Sequence, residues 1–305
     1  MEHNKKVFVP PIKCQGIKTK LVHWIIQQVE LDTSGTWIEP FTGSGVVGFN
    51  LRPNHALFSD INPHIINFYN AIKSGEITSA SARAYLENEG QLLSQRGQDH
   101  YYEVRSRFNK SGNSFDFLFL SRAGFNGVMR FNKKGEHNVP FGHKNERFAK
   151  AYVTKIANQI KYVSDAMKQH DWTFICSDFR TIISQAKQSD FLYCDPPYAG
   201  RHTDYFNSWS YKEEQELYTL LASTTAKFIL STWHSNQYRT NIALEKYAPD
   251  FKILTREHFY HVGASEDNRN PMLEAIVLNY SPSLLEYQSA EQREKTVQLQ
   301  LLEER

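Results

Sequence analysis

A chain of 305 residues with 40% hydrophobic and 22% charged side chains has the composition of a folded domain, not of a disordered segment. No apolar run approaches the roughly 18 residues of a membrane span, and the residues before Pro11 lack the apolar core of a secretory signal, so no membrane association and a cytoplasmic setting are expected. The net charge is only +2, and the three cysteines (Cys14, Cys176 and Cys194) form no CxxC pair, which argues against a disulfide scaffold or a zinc ribbon.

In chain order, Leu21, Val22, Ile25, Ile26 and Val29 form a helical stripe. Thr36-Trp37-Ile38 reads as a short buried strand running into the turn Glu39-Pro40-Phe41-Thr42-Gly43-Ser44-Gly45, with a helix from about Val46. Ala56 to Ser59 reads as a second strand ending at Asp60, and Pro63 fits the first turn of a helix reaching Lys73. The rhythm then breaks. Residues 74–170 are polar and helix-prone, with a Gly/Asn-rich stretch from Arg122 to Gly142. It resumes with apolar runs of strand length at Trp172–Cys176, Phe191–Cys194 and Lys227–Ser231, and a last strand from Met272 to Tyr280. The expectation is an α/β fold: a Rossmann-like sheet built from 1–73 and 171–280, interrupted by a mainly helical insertion at 74–170. The tail, 281–305, is expected to be a peripheral helix or disordered.

Charge is unevenly spread. Arg122 to Lys168 holds ten Lys and Arg against three acids, and Met1 to Lys20 holds five Lys against one Glu. Two basic regions on a nearly neutral chain suit a polyanion, although a solvated surface has the same composition.

Gly43-Ser44-Gly45-Val46-Val47-Gly48 lets a ligand approach backbone at a helix N-terminus. Asp60, at the end of the next strand, suits two ribose hydroxyls. A glycine turn alone does not separate a dinucleotide from S-adenosylmethionine. Glu39, just before Phe41, favours the latter, because a carboxylate can meet its cationic amine. The more specific signal is Asp195-Pro196-Pro197-Tyr198, directly after an apolar strand. Two prolines remove two N–H donors. Carbonyls, the Asp195 carboxylate and an aromatic ring are left, a set that suits an exocyclic amine about to attack a sulfonium methyl. None of the eleven prolines precedes a cysteine, so the Pro-Cys nucleophile of cytosine-C5 methylation is absent. His258 and His261 have no third ligand nearby, so no metal is expected.

These motifs, in this order, resemble the D12 class (alpha group) of DNA adenine-N6 methyltransferases, over roughly Pro10 to Tyr280. Phe117 to Arg122, Phe125-Asn126-Gly127, Arg130-Phe131-Asn132, Gly135 and Asn138 to Gly142 look like that family's recognition signature. Pro10 to Lys13, Gln15 to Lys20, Asp195 to Tyr198 with Gly200-Arg201-His202, and His258 to Ser265 look like its branch that modifies EcoRV sites, and Tyr205, Phe206, Trp209 and Tyr211 either line the cofactor and base pockets or pack in the core. The resemblance implies S-adenosylmethionine as cofactor, held by Cys14, Lys18, Glu39, Phe41, Gly43, Gly45, Asp60, Asp178, Phe179 and Asp195. Asp195, Pro196 and Tyr198 would be catalytic. Cys14 stands where the family usually has an aromatic. Double-stranded DNA would be the partner, met by Lys13, Arg122, Phe125, Asn126, Arg130, Asn132 and Pro140. Lys13 and Arg130 would read guanine, Phe125-Asn126 would fill the space left by a flipped base, and Lys133, Lys134, Lys144 and Lys150 would meet phosphates. A type II restriction–modification role at GATATC or a related GAT-containing site is implied, by a monomer or by a dimer on DNA. An N-methyltransferase on RNA or a protein amide, and a nicotinamide-dependent oxidoreductase, stand as alternatives.

Overall fold

The computed structural model describes residues 6–132, 134–198, 209–235, 240–242, 244, 249–259 and 271–282. Its seven strands are β1 (Trp37–Glu39), β2 (His55–Asp60), β3 (Asp171–Cys176), β4 (Phe191–Cys194), β5 (Lys227–Ser235), β6 (Lys252–Phe259) and β7 (Pro271–Leu278). They form one sheet in the order β3-β2-β1-β4-β5-β7-β6. The first five are parallel, and β7 runs antiparallel to both β5 and β6. This is the expected Rossmann-like α/β arrangement.

The central strands β1 and β4 are buried along their whole length, because helices cover both faces of a parallel sheet. That is why they read as unbroken apolar runs. The ring of Trp37 stacks on Phe191 and Tyr193 at 5.5 and 5.7 Å, tying β1 to β4. From β1 the chain builds outward through β2 and β3 on one side, then restarts at β4 on the other. The strand order therefore reverses between β1 and β4, where the carboxyl ends of open α/β sheets leave a crevice. The sequence expectations did not include β6. It is an edge strand carrying Lys252, Arg256 and Glu257, and such charges blunt an edge while hiding its apolar pattern.

Helix α1 is Val22–Ile26, and α2 (Val46–Leu51) follows β1. Between β2 and β3 the chain passes through α3 (Pro63–Ser74), α4 (Ser79–Arg96), α5 (Gln98–Ser111), α6 (Ser114–Ala123), a 3-10 turn at Phe125–Gly127 and α7 (Lys150–Gln169). Thr78 and Ser81 cap α4 reciprocally, and Asn62 caps α3 ahead of Pro63. One apolar cluster runs from Trp37 and Phe58 in the sheet to Leu86, Tyr101 and Phe117 in these helices. Among the described residues the last two helices are α8 (Phe179–Ser184) and α9 (Tyr211–Ser223). No helix of the described residues is long and apolar enough to cross a membrane. Residues 283–305, Gly200-Arg201-His202, Tyr205, Phe206, Lys133 and the stretch from Tyr260 to Ser265 lie outside the described residues.

Candidate active site

The chain leaves β1 at Glu39 and turns through Gly43 and Gly45, whose φ values of +48° and +69° lie where L side chains are disfavoured. At Gly48 the demand is steric. A Cβ there would come 2.5 Å from the Phe58 ring and 2.7 Å from Glu39 Oε1. The backbone N–H of Gly48 donates to that Oε1 at 2.7 Å, and Trp37 Nε1 donates to the same oxygen at 2.9 Å. Glu39 is thus anchored into the first turn of α2. Burial pushes its carboxyl up to about 8, against the pull of these two donors.

Asp60 closes the other side of the turn. Its Oδ2 accepts the Gly43 N–H at 2.8 Å and its Oδ1 accepts the Asn62 N–H at 2.9 Å. Burial raises this carboxyl to about 6, and the backbone donors oppose the rise. Two short backbone bonds fix the direction of the carboxylate while leaving a second lone pair on each oxygen.

Asp195 follows β4 across the strand reversal. Lys18, a buried residue, places Nζ 2.8 Å from Asp195 Oδ1 and donates to the Gly16 carbonyl at 3.1 Å. Burial raises the Asp195 carboxyl and Lys18 pulls it back down. The same Nζ sits 5.1 Å from the centre of the Tyr198 ring, and the Tyr198 hydroxyl donates to Glu274 Oε2 at 3.1 Å.

Both halves open onto one cavity of about 530 Å³, the size of a small-ligand site. Cys14, Lys18, Glu39, Phe41, Gly43, Asp60, Asp178, Phe179, Asp195, Pro196 and Tyr198 all border it. Gly45 does not, being instead the N-cap of α2. Cys14 Sγ lies 4.0 Å from Met129 Sδ, and burial raises its thiol above the ordinary range. Phe41 and Phe179 lie 5.3 Å apart, and Trp209, one of the aromatics after Tyr198 that the sequence leaves between lining the pockets and packing in the core, borders the cavity and meets each at 5.5 Å. Asp178 caps α8 through the Arg180 N–H at 2.8 Å and pairs with the Arg180 guanidinium at 2.9 Å. Glu274 was missed. Its only signal was a charge set inside the apolar run of β7.

The expected DNA contacts divide. Phe125 is 49% exposed at the tip of the 3-10 turn, and its N–H is held by the carbonyl of exposed Pro140 at 2.9 Å. Asn126 beside it is exposed and has φ of 52°. Lys13 packs its stem against Gly127, where an added Cβ would lie 2.5 Å from Lys13 Cδ, and burial lowers its amine. Lys144 and Lys150 are exposed.

Arg122 is a correction. It is 3% exposed and donates to the Pro10 and Pro11 carbonyls, to Gln159 Oε1 at 2.9 Å and to the Tyr152 hydroxyl at 3.2 Å. It pins the N-terminal segment to α6 and α7 and faces no ligand surface. Arg130 is also engaged: Nε donates to Asn138 Oδ1 at 2.8 Å and an Nη to the Asn138 carbonyl at 3.0 Å. Asn132 organises a turn, accepting from the N–H groups of Lys134 and Glu136 at 2.9 and 3.0 Å. Among the described residues no three His, Cys, Asp or Glu side chains gather as a metal site.

The family model of the D12 class N6 adenine-specific DNA methyltransferases matches residues 15–262. A DNA adenine methylase of Vibrio cholerae serotype O1 is 32% identical over 225 residues, covering 71% of this chain and 76% of the relative. A DNA adenine methylase of Haemophilus influenzae is 36% identical over 169 residues, 53% of this chain and 54% of the relative. The type II methyltransferase M.FokI of Planomicrobium okeanokoites is 27% identical over 281 residues, 89% of this chain. The match spans only 43% of the length of M.FokI.

Proposed function

The chain belongs to the D12 class N6 adenine-specific DNA methyltransferases, and from that premise we propose that it methylates the exocyclic amine of an adenine in duplex DNA, with S-adenosylmethionine as donor. The observation that carries this reading is the Lys18–Asp195–Tyr198 group, which faces the same cavity as the glycine turn and Asp60.

The cavity suits the cofactor chemically. The fixed Asp60 carboxylate can accept from both ribose hydroxyls, and Phe41, Phe179 and Trp209 offer aromatic surface for an adenine. When bound, the sulfonium supplies an electrophilic methyl. Asp195 accepts a hydrogen of the target amine and stabilises the positive charge that develops on its nitrogen, in a site where burial magnifies that interaction. Lys18 opposes the burial that would protonate Asp195. Tyr198 stacks the base once it leaves the helix.

Residues 74–170 would serve as the target-recognition region on a catalytic domain of 1–73 and 171–280. Exposed Phe125 and Asn126 would enter the space left by the flipped base, and Lys13, Lys144 and Lys150 would meet the DNA. The site read would be GATATC or a related GAT-containing sequence, methylated at its first adenine, in a type II restriction–modification setting. Incubating the protein with S-adenosylmethionine and unmethylated plasmid, then mapping modified adenines on single molecules, tests both levels. Methylation at a GAT-containing motif is expected. Methylated adenines at another motif would overturn the site alone, and no methylated adenine would overturn the activity.

A further inference from the structure

We propose that Glu274 is a positioning residue that sets the base-stacking platform by holding the Tyr198 hydroxyl. The proposal rests on the methyltransferase reading and goes beyond it.

Glu274 is fully buried, in a strand whose neighbouring residues Leu273, Ala275, Ile276 and Val277 are apolar. A carboxylate is costly there unless it is hydrogen-bonded. The sheet explains its location. Because β7 runs antiparallel, its first residues lie beside the last residues of β5, and Glu274 is in register with Trp233. Glu274 therefore sits at the carboxyl edge of the parallel strands, where Asp195 leaves β4. Its negative charge is among those that raise the Asp195 carboxyl.

Tyr198 is held from two sides. Pro196 and Pro197 restrict the backbone before it, and its hydroxyl donates to Glu274 Oε2 at 3.1 Å. With the tip latched, the ring has little freedom to turn about its side-chain bonds. One ring position then serves two neighbours. It gives the base a face to stack on, and it lies 5.1 Å from the Lys18 Nζ that pairs with Asp195. Loss of Glu274 should loosen the ring and blur the alignment of amine and methyl, while Asp60 and the group of Phe41, Phe179 and Trp209, which it does not touch among the described contacts, stay in place.

Glu274→Leu removes the acceptor but keeps an apolar side chain in an apolar strand. The substitution removes the desolvation cost of a carboxylate but leaves the Tyr198 hydroxyl without this acceptor, so a thermal melt establishes that the variant is folded before its rate is read. We expect its single-turnover methyl-transfer rate to fall about 10-fold or more, the scale of one hydrogen bond to a charged group. Affinity for S-adenosylmethionine should be unchanged. Duplex carrying 2-aminopurine at the target position should show altered fluorescence. Glu274→Gln, which keeps an acceptor, should restore most of the rate. In a Tyr198→Phe background, Glu274→Leu should have a clearly smaller effect, because the Tyr198 bond is already gone. An undiminished effect in that background, or equal losses of rate and cofactor affinity, would overturn the positioning role. A wild-type protein that methylates no adenine would overturn the functional reading, and the stacking platform with it.

Discussion

Asp60 gives the sharpest test of the cofactor site. Its oxygens take the Gly43 and Asn62 N–H groups at 2.8 and 2.9 Å, so the carboxylate is aimed before any ligand arrives. Asp60→Ala would remove charged acceptors for two hydroxyls, a loss of about 1.5–3 kcal/mol, or roughly 10- to 150-fold in affinity for S-adenosylmethionine. The same carboxyl makes binding depend on pH. Burial raises it to about 6, so it loses its charge as pH falls through that value. Wild-type affinity should therefore weaken between about pH 7 and about pH 5, and the Asp60→Ala variant should lose most of that slope. Stability runs the other way through this group. An acid whose folded pKa is raised holds its proton more tightly when folded, so its contribution to stability grows as pH falls from about 6 towards the ordinary carboxylate range. Weaker binding in acid that disappears in Asp60→Ala is then not an unfolding effect of this residue. Isothermal calorimetry across this range, with thermal melts at each pH, measures both. Equal affinities of wild type and Asp60→Ala near neutral pH, or identical pH slopes, would refute the assignment.

The central strands were legible because a parallel strand buried on both faces has no polar alternation, as in Phe191–Cys194. The cavity was legible for a related reason. Residues at the carboxyl ends of adjacent strands converge, and Glu39, Asp60 and Asp195 each follow or end such a strand. Three things were not legible. Charged β6 has an edge pattern that resembles a loop. Arg122 lies in a basic stretch, and composition cannot distinguish an arginine aimed at DNA from one folded onto the Pro10 and Pro11 carbonyls. The partners of Tyr198 and Asp195 are separated from them by 76 and 177 residues along the chain. Local spacing carries no information about such pairs, which exist only once β7 and the N-terminal segment have docked. Lys18 and Glu274 show the difference: the first was tied to the cofactor by resemblance, yet the structure gives it Asp195 as its ion-pair partner.

Three further predictions follow from particular contacts. Arg122→Met should destabilise the protein by about 3–5 kcal/mol, because several buried acceptors lose their donor. Chemical denaturation would show the loss, and unaltered sequence preference in the remaining folded protein would separate it from a base-reading role. If Phe125 is the wedge proposed to fill the vacated stack, Phe125→Ala should leave cofactor affinity intact and reduce 2-aminopurine fluorescence of the flipped target. An unchanged signal would remove Phe125 from that role. Lys18→Met tests charge against packing. Asp195 stabilises positive charge on the amine only when ionised, burial favours its protonated form, and Lys18 at 2.8 Å opposes burial. Without the lysine the carboxyl must titrate higher, so the deficit in methyl transfer should be largest in acid and shrink in base. A contact charge of this kind has the reach to make the loss about 10-fold or more at the acid end of the profile, shrinking towards the basic end. Single-turnover rates measured at saturating cofactor isolate this from any change in affinity. A loss of equal size at both ends of the profile would mean that Lys18 acts through packing, and that the ionisation of Asp195 does not depend on it.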